Sequence, residues 1–168
     1  IYVTPRFMGA RHRWRIRADM ISVLDAATLA VLEGPGDISR ESKAHLALYS
    51  AFAEAGAVIH AHPRYIQAFT SLGRPLEPAT EYTEKYGTIP VVAAVKAHSQ
   101  ALADEVVAAM EGLREGLASH GLAVLLARHG IITMGRDMDE AYDTLERMED
   151  HARCAIYGAM LRLADTRL

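Results

Sequence analysis

The chain has 168 residues, 51% of them hydrophobic, with a formal net charge of −3 and a pI near 6.2; that suffices for one sizeable core, and a single domain over 1–168 is expected. The acidic balance speaks against nucleic-acid and membrane-surface partners, and the apolar runs are too short to span a bilayer. The single Cys154 excludes an internal disulfide and fits a reducing cytoplasm, with no signal-peptide pattern to redirect the chain.

In chain order, the sequence starts on a strand-like Ile1-Tyr2-Val3 without Met, which suggests that an N-terminal piece precedes it. The basic run from Arg11 to Arg17 reads as a solvated loop. Two short strands, Ile21 to Leu24 and Thr28 to Leu32, are predicted to form a hairpin about Asp25-Ala26-Ala27, and Gly34-Pro35-Gly36-Asp37 then breaks the chain. Ser39 is expected to cap a helix through about Ala55, with Glu41, His45, Leu48 and Phe52 on one face and Glu41 thereby drawn to the buried side.

Ala57 to His60 reads as a strand and Pro63 to Leu72 as a short helix, since proline is tolerated in a first turn. Gly73-Arg74-Pro75 ends it. The stretch from Leu76 to Gly87, with Glu77, Glu81, Tyr82, Glu84, Lys85 and Tyr86, lacks clean periodicity and reads as a long functional loop. Ile89 to Val92 is a strand. Ser99 caps a helix whose stripe Leu102, Val106, Ala109, Met110, Leu113 and Leu117 belongs to the core. Gly121 to Leu126 and Ile131 to Met134 are strands about Arg128-His129-Gly130. Asp137 caps a final helix, with Met138, Tyr142, Leu145, Met148, Ala152, Ile156 and Met160 expected inward and Cys154 as a small buried thiol. Strands alternating with helices, plus hairpins, predict an α/β fold with a mixed sheet.

The chemistry concentrates in histidines. His60 and His62 end the apolar run Ala57-Val58-Ile59-His60-Ala61-His62. Alternate strand residues face one side with a rise of about 3.3 Å each, so the two imidazoles start roughly 6.6 Å apart and can converge on one ion. His129, ending a second apolar run, supplies a third nitrogen if a neighbouring strand brings it to the same cleft. The spacing alone is weak, because a chain with 8 histidines often holds such a pair by chance. The position of both sites at strand ends, where open α/β sheets place ligands, adds the weight. Three neutral nitrogens with an open position describe a catalytic rather than a structural metal site. His45 reads as a core or ligand-supporting histidine rather than a fourth ligand.

Thr4-Pro5, Ser39-Arg40-Glu41 followed by His45 and Tyr49, Val58-Ile59-His60-Ala61-His62, Leu125 to Gly130, Met134-Gly135 and Asp139-Glu140-Ala141 form an ordered set. By that set the chain resembles the class II aldolase and adducin family over nearly its whole length. The resemblance implies a three-layer αβα sandwich around a mixed, largely antiparallel sheet. It also implies a homotetramer with active sites between subunits. It makes His60, His62 and His129 ligands of a divalent ion, usually zinc and sometimes manganese or cobalt, and Glu41 the acid/base carboxylate. An ion on a ketose carbonyl and hydroxyl stabilises an enediolate while a carboxylate moves the proton. The family's glycine-rich phosphate loop would lie before Thr4, its Thr-Pro-x-Gly becomes Thr4-Pro5-Arg6-Phe7, and its second serine before the acid becomes Arg40. Thr4, Arg6, Ser39 and Arg40 are therefore the expected contacts to a substrate phosphate or carboxylate. The family's neighbour-subunit tyrosine falls on Glu81 with Tyr82 adjacent. The implied activity is retro-aldol cleavage of a small sugar phosphate or hydroxy-keto acid. The alternatives are a 4-epimerase, a keto-acid phosphate decarboxylase, or an adducin-like binding module without chemistry.

Overall fold

The computed structural model describes residues 1–165, which divide into two compact units, Ile1–Lys43 and a second that begins at Ala44. In the first, β1 (Tyr2–Val3), β2 (Ser22–Leu24) and β3 (Val31–Glu33) form an antiparallel sheet in that order. The expected hairpin is present. Asp25 closes its turn, one carboxylate oxygen accepting from the Ala27 and Thr28 amides at 3.0 and 2.7 Å and from the Thr28 hydroxyl at 2.9 Å, which is how aspartate favours turns. The Arg11–Arg17 run is largely exposed, with Arg11 paired to Asp37 and Arg17 to Asp19.

The second unit is built on a four-stranded sheet in the order β4-β7-β6-β5, from β4 (Ala57–Ala61), β5 (Val91–Val92), β6 (Leu122–Leu126) and β7 (Gly130–Gly135). β4 pairs β7 and β7 pairs β6 antiparallel, while β5 joins β6 in parallel, so the sheet is mixed as expected. Alternation along the strands sorts the core into two layers. Val58, Val92, Leu122, Val124, Leu126, Ile132 and Met134 pack on one face with Leu48 of α1 (Ser42–Ala51), with Phe52, and with Leu102, Val106 and Met110 of α4 (Gln100–Glu111). Ala123, Leu125 and Ile131 pack on the other with Ile66 of α2 (Ile66–Ser71) and with Met148 and Ala152 of α5 (Met138–Asp165). Helices therefore cover both faces, and the αβα sandwich is the observed architecture. Ser99 caps α4 as expected, its hydroxyl accepting from the Leu102 amide at 3.1 Å, and Asp137 caps α5 through the Glu140 amide at 2.8 Å.

Three expectations are corrected. The stretch from Leu76 to Gly87 is not all loop: α3 (Glu81–Glu84) forms behind a reciprocal Thr80–Thr83 cap, a local side-chain device that hydrophobic periodicity does not register. The inward face of α5 matches the predicted one at Met148, Ala152 and Leu145 and departs from it elsewhere. Ala141, Thr144, Met148, His151 and Ala152 are buried, whereas Met138, Tyr142 and Met160 are more than half exposed. Apolar residues occur on more of this helix than the sheet covers, so their spacing fits two faces. Cys154 is half-buried rather than buried. Among the described residues no helix is long and apolar enough to cross a membrane.

Candidate metal centre

β4 carries His60 and ends at Ala61, with His62 the next residue, and its pairing with β7 sets His60 opposite Ile132. The His60 side chain therefore leaves the sheet on the face covered by α1 and α4. The β6–β7 hairpin brings the third imidazole. Its turn is held at three points, with the Ala127 amide on the Val92 carbonyl at 3.0 Å, the Arg128 amide on the Thr70 carbonyl at 2.7 Å and the His129 amide on the Leu126 carbonyl at 3.0 Å. Gln67 of α2 donates to the His129 carbonyl at 3.0 Å. The start of α2 is fixed in turn by the Glu149 carboxylate of α5, which accepts from the Tyr65 and Ile66 amides at 2.9 and 3.0 Å.

The result is a trio whose ligand nitrogens all lie within 4.8 Å of one another, His60 and His129 half-buried and His62 exposed. Ring centroids are 4.7 Å apart for His60–His62, 4.8 Å for His60–His129 and 5.1 Å for His62–His129. His60 Nδ1 lies 3.0 Å from the Ile131 carbonyl, which can only accept. The proton therefore sits on Nδ1, and Nε2 carries its lone pair toward His62 Nε2, 2.9 Å away. Two nitrogens on one tetrahedral zinc stand about 3.3 Å apart, given bonds of roughly 2.0–2.1 Å. A shift of a few tenths of an ångström fits the His60–His62 pair to an ion, with the His129 nitrogen within 4.8 Å of both, and a carbonyl behind a ligating imidazole is the usual orienting partner. The donor set suits a divalent metal, and its exposed side leaves room for an oxygen ligand.

Burial holds the pKa of His60 down to about 3, with the other imidazoles adding to the effect. His45 stands close enough to contribute and is itself pushed down by burial to about 4. The hydrogen-bonding role expected for His45 is not met at Nε2, which is buried and has no hydrogen-bond partner among the described residues. The consequence for stability follows by linkage. The unfolded His45 takes up a proton as pH falls through 6.5 while the folded one resists until about 4. Stability is fully present above 6.5 and declines between 6.5 and 4, by up to about 3 kcal/mol. His60 and His151, shifted the same way by burial, add to the decline. Denaturant unfolding of chelator-treated protein at pH 7.5 and 4.5 should show the loss, and His45→Leu should make it shallower by the share of His45. An unchanged pH slope in that variant would remove His45 as one of its sources.

The other expected site residues divide between the units. In Ile1–Lys43, the segments 4–7 and 37–41 lie side by side: the Thr4 carbonyl accepts from the Ser39 amide at 3.0 Å, and Arg6 reaches the Asp37 carboxylate at 3.5 Å. Arg40 lies over the Phe7 ring at 5.1 Å, and the Ser39 hydroxyl accepts from the Glu41 amide at 3.3 Å. Glu41 is 4% exposed, the buried position expected of it. Phe7 adopts φ 61, the left-handed conformation that glycine prefers, so the segment keeps a glycine-like backbone without the glycine. In the second unit Glu81 is exposed in the first turn of α3, and the Tyr82 hydroxyl donates to Asp150 at 2.9 Å.

Sequence reasoning missed one residue beside the trio. His98 places its ring 6.3 Å from that of His129 at an angle of 87°. Its position before the Ser99 cap was legible. Its nearness to residue 129 is a product of the β5–β6 pairing and was not.

Comparison with known proteins agrees with this geometry. Residues 8–156 match the Class II Aldolase and Adducin N-terminal domain. The chain is 30% identical to a 3-oxo-tetronate 4-phosphate decarboxylase of Haemophilus influenzae, covering 90% of this chain and 72% of that protein. It is 28% identical to an L-fuculose phosphate aldolase of Methanococcus maripaludis, covering 91% and 76%. A solved L-fuculose 1-phosphate aldolase superposes with a TM-score of 0.80 at 28% identity, covering 95% of this chain and 70% of that one. Strand-end histidines, a mixed sheet between helical layers and a match across most of the chain converge on one assignment: this protein belongs to the class II aldolase and adducin family.

Proposed function

We propose that the protein is a metal-dependent carbon–carbon lyase that cleaves a small sugar phosphate or hydroxy-keto acid by retro-aldol chemistry through an enediolate. The observation that carries this reading is the convergence of His60, His62 and His129 with an open side. A divalent ion there, zinc or alternatively manganese or cobalt, would supply the positive charge that stabilises the enediolate. His60 orients the centre through its Nδ1 bond to Ile131. Glu41 is assigned the proton transfers. As a carboxylate it takes the proton from the substrate hydroxyl as the carbon–carbon bond breaks to aldehyde and enediolate, and it returns a proton afterwards. Thr4, Arg6, Ser39 and Arg40 are assigned to the substrate anion, with Glu81 and Tyr82 contributed across a subunit boundary of a homotetramer. These roles rest on the motif resemblance in the sequence, and Thr4 and Arg6 precede the matched residues 8–156.

The identity to the Haemophilus influenzae decarboxylase favours a second reading, loss of carbon dioxide from a phosphorylated keto acid through a similar enediolate. A screen of sugar phosphates and keto-acid phosphates, read for triose phosphate, pyruvate or carbon dioxide, separates the two. A metal-loaded protein that releases none of them would refute both. With the substrate found, Glu41→Gln should keep its metal while turnover falls by about 10²–10⁴. Undiminished turnover would take the proton transfers away from Glu41.

A further inference from the structure

We infer that His98 is a fourth functional histidine, one that hydrogen-bonds a substrate oxygen seated at the open side of the metal centre. The inference rests on the metal-dependent reading above and deepens it by naming a residue that selects for a hydroxy-carbonyl ligand. The ring distances separate His98 from the ligands. The three trio members stand 4.7 to 5.1 Å apart, the spacing of imidazoles that share one ion, whereas His98 stands at 6.3 Å from His129. The nitrogens placed to share an ion are those of the trio, without His98. Its distance accommodates an oxygen between, about 2.1 Å from the ion and about 2.8 Å from a ring nitrogen.

Backbone strain points the same way. His98 has φ 64, a left-handed conformation that costs a residue with a Cβ and persists only where its surroundings enforce it. The enforcing elements are on both sides. The Ser99 amide closes a turn on the Lys96 carbonyl at 3.3 Å, and the Ser99 hydroxyl caps α4 through the Leu102 amide at 3.1 Å. A histidine held in this conformation beside the metal ligands, and half-buried there, is placed by the fold rather than by its own preference.

Cobalt-substituted protein titrated with acetohydroxamate, a bidentate oxygen ligand resembling an enediolate, tests the role without turnover. The visible absorption of the bound cobalt reports both events. His98→Gly removes the ring and suits the positive φ. It should leave cobalt affinity within about twofold of the parent and weaken hydroxamate binding about tenfold, the loss expected for one hydrogen bond at an ion-held ligand. His98→Asn, which tolerates the same backbone and keeps a donor, should recover part of that loss. Equal hydroxamate affinity in parent and His98→Gly overturns the inference and leaves the metal reading intact. A fall in cobalt affinity matching the fall in hydroxamate affinity also overturns it, by making His98 part of the ion's support. A parent protein that takes up no cobalt overturns the metal reading and this inference together.

Discussion

His60→Ala is expected to empty the metal centre, lowering divalent-ion affinity by at least about a hundredfold, because even the partners behind a ligand are worth 10- to 100-fold. His60 is the best-prepared of the three ligands: the Ile131 carbonyl at 3.0 Å fixes its proton on Nδ1 and aims Nε2 into the trio. Removing it leaves two nitrogens, one on an exposed side chain. Metal analysis after dialysis against a weak chelator gives the direct reading. A second reading comes from unfolding. An ion at a hundred times its dissociation constant stabilises the fold by about 2.7 kcal/mol, so a strong chelator should lower the parent's midpoint and leave that of the variant unmoved. His62→Ala is the companion, since an exposed ring contributes little to packing and its loss should act on metal alone. Stoichiometric metal in both variants would dissolve the site.

Gly130→Ala is expected to damage fold and site together, by about 2–4 kcal/mol of stability with a parallel loss of metal. A Cβ at residue 130 would overlap the Ala61 carbonyl oxygen, approach His62 Cδ2 to 2.5 Å and stand 3.3 Å from His60 Cε1. The first obstacle is backbone in a paired strand, so relief requires β4 to move, and β4 carries His60 and runs directly into His62. The close packing that brings residue 129 to residues 60 and 62 thus depends on having no side chain next door. Gly112→Ala provides the contrast, because its Cβ meets nothing nearer than 3.5 Å and its φ of −62 suits alanine. That change should be neutral or slightly stabilising, by about 0.4–1 kcal/mol. Metal retention by Gly130→Ala at parental stability would show that β4 yields more easily than its ladder implies.

The histidine trio was legible because each member lies at or shortly past the end of a strand, and strand ends are written in hydrophobic runs. Val58, His60 and His62 share a side by alternation alone, and the fully buried Leu122–Leu126 announces the strand whose hairpin delivers His129. The convergence itself required the β4–β7 register, which no local pattern specifies. Where the sequence misled, surplus apolar residues were the cause. In α5, Met138, Tyr142 and Met160 line up at helical spacing as well as Ala141, Met148 and Ala152 do, yet only the latter meet the sheet. α3 failed for the opposite reason, being four residues long and set by a threonine pair rather than by a stripe. His98 belongs to a third kind. Its neighbours in sequence say only that a helix is about to begin.

The burial of His60 has one more effect, on the contest between cations for the site. A metal usually has to displace protons from its histidines, and its hold weakens as acidity rises. His60 enters that contest already decided, its outward nitrogen bare and its pKa down at about 3. Mild acid therefore finds no opening at this ligand, and one anchor of the ion stays available across the whole range in which ordinary histidines surrender theirs.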